Sequence, residues 1–303
     1  MTSEHQPPRS SPGDYTVDVE SGLDDLAKRQ VLPRIWSCDH TVWKPDPIKI
    51  SNRLGWLTVA DFMLEQVPSI QALAAELRDE GCRHVVLLGM GGSSLGPEVL
   101  RQSFGSAHGY PELIVLDSTV PAWVRSAAEA IDPARTLFLV SSKSGSTIEP
   151  NMFYAFFRDL VEKAVGRAGA GRYFVAITDS GTPLDKLAVE QDFRRVFANP
   201  TEIGGRYSVL SYFGLVPAAL IGIDLDKLLR RANRMRAEST PALPFHENPG
   251  VWLGAVLGVL AQRGRDKLTL VTSPSIGSFG LWVEQFIAES TGKEGLGMVP
   301  VAV

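Results

Sequence analysis

The residues best suited to chemistry in this sequence fall in four short stretches. The first, VSSKSGSTIEPN (Val140 to Asn151), sets Ser141, Ser142, Lys143, Ser144, Gly145, Ser146 and Thr147 between two apolar runs. Thr136–Val140 before it predicts a buried strand, and the bulky run from Met152 predicts a helix packed on a sheet. A small, hydroxyl-rich turn at a helix start leaves backbone N–H donors and the positive end of the helix dipole free for an anion, most often a phosphate. Ser and Thr are also ordinary helix caps, so one such turn by itself suits a plain helix start. The second stretch, GMGGSSLGP (89–97), follows an apolar strand signal at His84–Leu88. It is not the dinucleotide fingerprint, because Ser94 stands where the third glycine belongs, and it is not a P-loop, because no Gly-Lys-Ser/Thr follows. Its glycines suit a backbone that must approach a ligand closely. Two such turns, two strands apart, favour a phosphorylated small molecule spanning both.

The third stretch, EIGGRYSVLS (202–211), presents Arg206 after two glycines. A guanidinium there can stabilise an oxyanion or a phosphate in a fixed geometry, or simply pair with Glu202. The fourth, WVEQFIAESTGK (282–293), puts Gln285 and Glu289 four residues apart on one helix face. Burial of Glu289 at the end of an apolar helix would raise its pKa towards that of a useful base. Spacing alone favours an ordinary pair with Lys293. The five histidines show no nucleophile–base or metal-ligand spacing, and His246 reads as a turn residue.

These residues need a scaffold, and the chain alternates strand and helix signals. Strands are predicted at His84–Leu88, Leu113–Leu116, Thr136–Val140, Tyr173–Thr178 and Arg195–Ala198. Helices are predicted at Glu98–Phe104, Val120–Ala130, Asn151–Val165 and Pro183–Gln191. The alternation implies an α/β fold, a doubly wound parallel sheet with helices on both faces and ligands at its carboxyl edge. Upstream, residues 1 to about 15 read as a disordered tail, Gly22–Ile35 as a short helix and 36–50 as an extended connector. The periodic run from Leu57 to Leu77 reads as one or two helices. Downstream, Tyr207–Ile221 predicts a buried helix, and Asp224–Glu238 an amphipathic one whose arginines form a solvated face. Val251–Arg263, Lys267–Thr272, Leu281–Ser290 and Met298–Val303 begin a second αβ pattern. The domains so drawn are 1–50, 51–238 and 239–303, and the final Val-Pro-Val-Ala-Val suggests a cut chain with an exposed apolar strand.

With 303 residues, 44% hydrophobic and 21% charged, the composition is that of a globular protein with a substantial core. A net charge of -4 and a pI near 5.8 give no footprint for nucleic acid. Cys38 and Cys82 form no metal motif or disulfide framework, the N-terminus is no secretory signal, and no apolar stretch is long enough to span a membrane. A cytoplasmic enzyme is expected.

In this order the four stretches resemble phosphoglucose isomerases, over roughly residues 50 to 303. The segment Ile35–Trp56 resembles the one that precedes the isomerase part in transaldolase–phosphoglucose isomerase fusions. The resemblance implies two sugar-isomerase (SIS) subdomains, the second incomplete, and a homodimer in the full-length family. It implies a sugar-phosphate substrate, glucose 6-phosphate and fructose 6-phosphate, interconverted through a cis-enediol without metal or other cofactor. It implies that Ser142, Lys143, Ser144 and Thr147 hold the phosphate, while Gly92 and Ser93 line the sugar site. Gly205 and Arg206 would stabilise the enediolate, and Glu289 would be the base with Gln285 beside it. The family's ring-opening His and late catalytic Lys fall beyond the stretch matched at Val303. The turn SSKSGST is nearer the general SIS form than the family's SKTFTT, with Ser144 in place of a threonine. A SIS-type regulator that binds a sugar phosphate without turnover shares the 142–147 turn, but has no need of Gln285 and Glu289. Another SIS isomerase, acting on an amino sugar or hexulose phosphate, fits less well with GGRYS and ESTGK.

Overall fold

The computed structural model describes residues 11–303. Two helices open it, α1 (Thr16–Lys28) and α2 (Val31–Trp36). The first begins six residues before the predicted Gly22, and residues 1–10 of the expected tail lie outside the described residues. Gly22 is an interior residue of α1, not its start. A Cβ there would come within 2.7 Å of Val259 in α10 (Pro249–Gln262), so the glycine lets the two helices close on each other around Val19, Leu23 and Ala255. The connector expected to be extended over 36–50 is instead made largely of turns, among them the 3-10 turn His40–Val42, and two more 3-10 turns follow it (Ser51–Arg53, Gly55–Leu57).

The long helix α3 (Val59–Asp79) continues through Pro68 and buries Met63, Val67, Ile70, Leu73, Ala74 and Leu77 at three- and four-residue spacing. Then come β1 (His84–Gly89), α4 (Leu95–Phe104), β2 (Glu112–Leu116), α5 (Pro121–Glu129), β3 (Thr136–Ser141), α6 (Ile148–Val165), β4 (Phe174–Asp179), α7 (Pro183–Glu190) and β5 (Arg195–Asn199). All four pairings in this sheet are parallel, in the order β2-β1-β3-β4-β5. Strand side chains alternate between two cores. Val85, Leu87, Leu137, Leu139, Val175 and Ile177 face one side with α3. Val86, Leu88, Phe138, Val140, Phe174 and Ala176 face the other with α5, α6 and α7. Sequence order reverses between β1 and β3, and their register pairs Gly89 with Ser141. A sheet of this order opens a crevice at that point, beyond the carboxyl ends of the strands.

The helix predicted over Tyr207–Ile221 is split. Gly205–Leu210 is a 3-10 turn, Ser211 is extended and caps the amide of Phe213, and α8 (Tyr212–Leu220) follows, buried at every residue against α3 and α4. The basic helix α9 (Leu225–Ala237) buries Leu225 and Leu229 and leaves Arg230, Arg231 and Arg234 exposed. After α10, the strands β6 (Lys267–Leu270) and β7 (Val299–Ala302) pair in parallel, with α11 (Phe279–Thr291) packed on β7. No helix among the described residues is long and apolar enough to cross a membrane.

Candidate active site

The turns after β1 and β3 border one cavity of about 510 Å³ at the switch point. Its wall includes Gly92, Ser93, Ser142, Lys143, Ser144, Thr147 and Gly205, with Asn52, Arg53, Asp179 and Thr201. Thr147 is the N-cap residue of α6 and its side chain makes no capping hydrogen bond, so the donors at this end stay available to an anion. The helix starts at Ile148 and not at Asn151, because Pro150 falls in its first turn, where a missing N–H costs nothing. The hydroxyl turn is tightly tied. Ser142 donates its amide to Ile177 O (3.0 Å) and its hydroxyl to Thr147 Oγ1 (3.2 Å), and Ser144 Oγ accepts from the Ser146 amide (3.3 Å). Gly145 has φ +64°, and a Cβ there would lie 2.7 Å from Leu184 N.

Lys143 does not stand free. Its ammonium donates to the Asp179 carboxylate and to Thr201 O (3.0 Å). Burial pushes the Asp179 carboxyl up from the usual carboxylate range, against the opposing pull of Lys143. Asp179 Oδ1 is buried without a hydrogen-bond partner among the described residues.

The glycine turn meets the third and fourth stretches directly. A Cβ on Gly92 would lie 2.2 Å from Gly205 O, and one on Gly91 would lie 2.8 Å from Gln285 Nε2. Ser208 Oγ donates to Gly205 O at 2.5 Å and reaches Gly92 O at 3.3 Å. Arg206 follows Gly205 and turns to α11, donating from Nη1 to Glu289 Oε1 (2.6 Å) and from Nε to Ser290 Oγ (2.9 Å). Tyr207 OH shares Ser290 Oγ at 3.0 Å, while its ring stacks on Trp56 and meets the edge of Phe286. Gln285 Oε1 is buried and has no hydrogen-bond partner among the described residues.

All ten predicted residues therefore lie around one crevice, in two groups. Gly92, Ser93, Ser142, Lys143, Ser144, Thr147 and Gly205 wall the cavity, and Gln285, Arg206 and Glu289 flank it through the Gly91–Gly92 and Gly205 contacts. Two expectations are corrected. Glu289 is not buried; its side chain is 51% exposed, because it sits on the last turn of α11, where little packs beyond it. Its carboxylate pairs with Arg206, while Lys293 bonds instead to the Glu289 carbonyl (2.6 Å). Arg53, Asp179, Thr201 and Ser290 went unpredicted. Asp179 closes a parallel strand at the ligand edge, a position that could have marked it. Arg53 has no local signal.

A doubly wound sheet in this order, with a hydroxyl turn and a glycine turn at its switch point, defines an α/β domain of the ligand-binding, doubly wound class. A phosphoglucose isomerase family model matches residues 74–295, and the chain belongs to that family. It is 32% identical over 262 residues to a glucose-6-phosphate isomerase of Symbiobacterium thermophilum, covering 82% of this chain and 58% of the relative. It is 30% identical over 294 residues to one of Rubrobacter xylanophilus, covering 94% and 66%. The crystal structure of a glucose-6-phosphate isomerase from Chlamydia trachomatis shares the fold, with a TM-score of 0.79 at 21% identity over 93% of this chain and 58% of that one. The chain thus spans about three fifths of the length of these relatives.

Proposed function

We propose that this chain binds the phosphate of glucose 6-phosphate or fructose 6-phosphate in the cavity between the β1 and β3 turns and takes part in their interconversion. Ser142, Lys143, Ser144 and Thr147 hold the phosphate, and Gly92 and Ser93 face the sugar. Glu289 removes the C2 proton of the open-chain aldose. The electron pair forms the C1–C2 double bond of an enediolate as the proton of the C2 hydroxyl passes to the C1 oxygen, and Glu289 then returns its proton to C1 while the C2 oxygen becomes the ketone carbonyl. Arg206 and Gly205 stabilise the charge on oxygen in the intermediate, and Gln285 orients the sugar. Residues 51–238 form the first SIS subdomain and 239–303 the start of the second. A cytoplasmic location and a homodimer, without nucleic acid or membrane as partner, complete the proposal.

One observation carries this function: the Arg206–Glu289 pair, base and cation in contact, stands one residue from Gly205 in the wall of the phosphate cavity. The exposure of Glu289 and its engagement by Arg206 also suit a module that binds the sugar phosphate without turning it over. The test is formation of glucose 6-phosphate from fructose 6-phosphate by the 303-residue chain, with Glu289→Gln and Ser142→Ala beside it. Turnover lost in Glu289→Gln supports the isomerase. Saturable binding without turnover, weakened in Ser142→Ala, leaves the binding module, and a folded chain that does neither defeats both.

A further inference from the structure

The phosphate cavity holds a charge imbalance that the hydroxyl turn does not resolve. Lys143 is the cation of that turn, but the Asp179 carboxylate already offsets it. The Asp179 side chain is 14% exposed, and its carboxylate feels the positive charge of Arg53 as well as Lys143 and the opposing negative charge of Glu202. An entering phosphate therefore meets a nearly neutral ion pair, whereas a dianion buried among hydroxyls needs a cation that is free to face it.

Arg53 lines the same cavity and makes no ion pair among the described residues. Its guanidinium donates from Nη1 to the Asn52 carbonyl at 2.9 Å, which leaves most of its five N–H groups uncommitted. Its backbone position is fixed over a long separation in sequence. Leu54 forms an antiparallel bridge with Ile203, and the Gly55 amide donates to Glu202 O at 3.0 Å. The Arg53 stem crosses Gly204, where a Cβ would lie 3.0 Å from Arg53 Cδ. The loop that carries Gly205 and Arg206 thus also seats an arginine from outside the sheet.

We propose that Arg53 is a phosphate-binding residue of this site, supplying the positive charge that Asp179 takes away from Lys143. The proposal rests on the assignment of the cavity to a sugar phosphate. A planar guanidinium presents paired donors that match two phosphate oxygens, and it stays charged at any working pH. The flexible stem lets the fork close on a phosphate held at the start of α6.

Calorimetric titration of the intact chain with inorganic phosphate and with fructose 6-phosphate, over a series of NaCl concentrations, tests this. Arg53→Gln should weaken both ligands roughly tenfold and flatten the salt dependence, and Arg53→Lys should restore part of each. Ser142→Ala serves as the control for the cavity. Its main-chain bridge does not depend on the side chain, so Arg53→Gln should keep the wild-type melting temperature. Unchanged affinity in Arg53→Gln, with Ser142→Ala weakened, overturns the role of Arg53 and leaves the cavity assignment standing. Weakening by Arg53→Gln that Arg53→Lys does not relieve, with an unaltered salt slope, reduces Arg53 to a packing residue and also overturns it. Ser142→Ala without effect, or no binding by the wild type, removes the cavity assignment and the proposal together.

Discussion

The two sheets of this molecule support the two halves of the site very differently. In the five-stranded sheet every residue of β3 is buried, and both faces are covered by helices. In the two-stranded sheet Pro300 is the buried residue of β7, while Val299, Val301 and Val303 are 52%, 42% and 78% exposed. The hydroxyl turn grows out of the first sheet, whereas Glu289 and Gln285 ride on a helix whose buried residues are Gly280 and Val283. What holds that helix to the site is its packing on α4 together with side-chain contacts centred on Arg206, Tyr207 and Ser290. The lesson is that the hydroxyl turn and the Arg206–Glu289 pair rest on scaffolds of unequal burial, so that each should be open to perturbation without the other.

The widest separation should come from the large core. Phe138 is fully buried, with ring centroids 5.0 and 5.2 Å from Phe157 and Phe174. Phe138→Ala should cost about 3–5 kcal/mol, lowering the denaturant midpoint and abolishing ligand binding in the same transition. Retention of phosphate binding after that loss would break the dependence of the turn on the sheet. Gly92→Ala acts where the two halves touch. Its Cβ would sit 2.2 Å from Gly205 O, so one backbone must move, at about 1–3 kcal/mol. Both phosphate affinity and any turnover should fall, since the turns on either side of the crevice are forced apart.

Ser290→Ala tests the smaller half alone. It removes the acceptor of Arg206 Nε and the partner of Tyr207 OH, a loss of about 1 kcal/mol. Hydrogen exchange should accelerate across 279–302 and stay unchanged in β1, β3 and β4. Uniform acceleration over the chain would mean that the two regions open as one unit and would erase the contrast.

Legibility in sequence follows the same division. The buried strands could be read because a strand covered on both faces is an unbroken apolar run, and His84–Leu88 and Thr136–Val140 each fall one residue short of the observed ends. The glycine and hydroxyl turns could be read because their chemistry is local. What was missed depends on contacts far apart in the chain. Gly22 looks like a helix boundary until α10 is seen against it, and Ser211 breaks an apolar run through a cap that leaves no mark on the hydrophobic pattern. Arg53 reaches the cavity through a bridge to Ile203, about which residues 51–57 say nothing. The Arg206–Glu289 pair was missed for the same reason. Spacing offers Glu202 and Lys293 as partners, and the fold brings together two residues 83 apart.

The smallest effect concerns the edge of the large sheet away from the ligand. Glu80, at the end of α3, accepts both Nη1 (2.8 Å) and Nη2 (2.7 Å) of Arg194, just before β5. The hydrogen bonds from Arg194 hold its carboxyl below the usual glutamate range, outweighing a modest cost of burial. A carboxyl whose folded pKa is depressed adds stability that is complete above its unfolded value, about 4.3, and is lost as pH falls through the lower folded value. Because the Glu80 side chain is 54% exposed, solvent screening limits the gain to about 0.5 kcal/mol. Glu80→Gln should therefore lower the melting temperature slightly at pH 7 and not at all below the folded pKa, so that the two melting curves converge on acidification. The matching pair in the smaller region, Lys44–Glu294, also depresses its carboxyl but is the more exposed, at 51% and 73%. Glu294→Gln should leave the melting temperature unmoved at either pH, and an effect as large as that of Glu80→Gln would show that the connector anchors the second sheet more firmly than its burial implies.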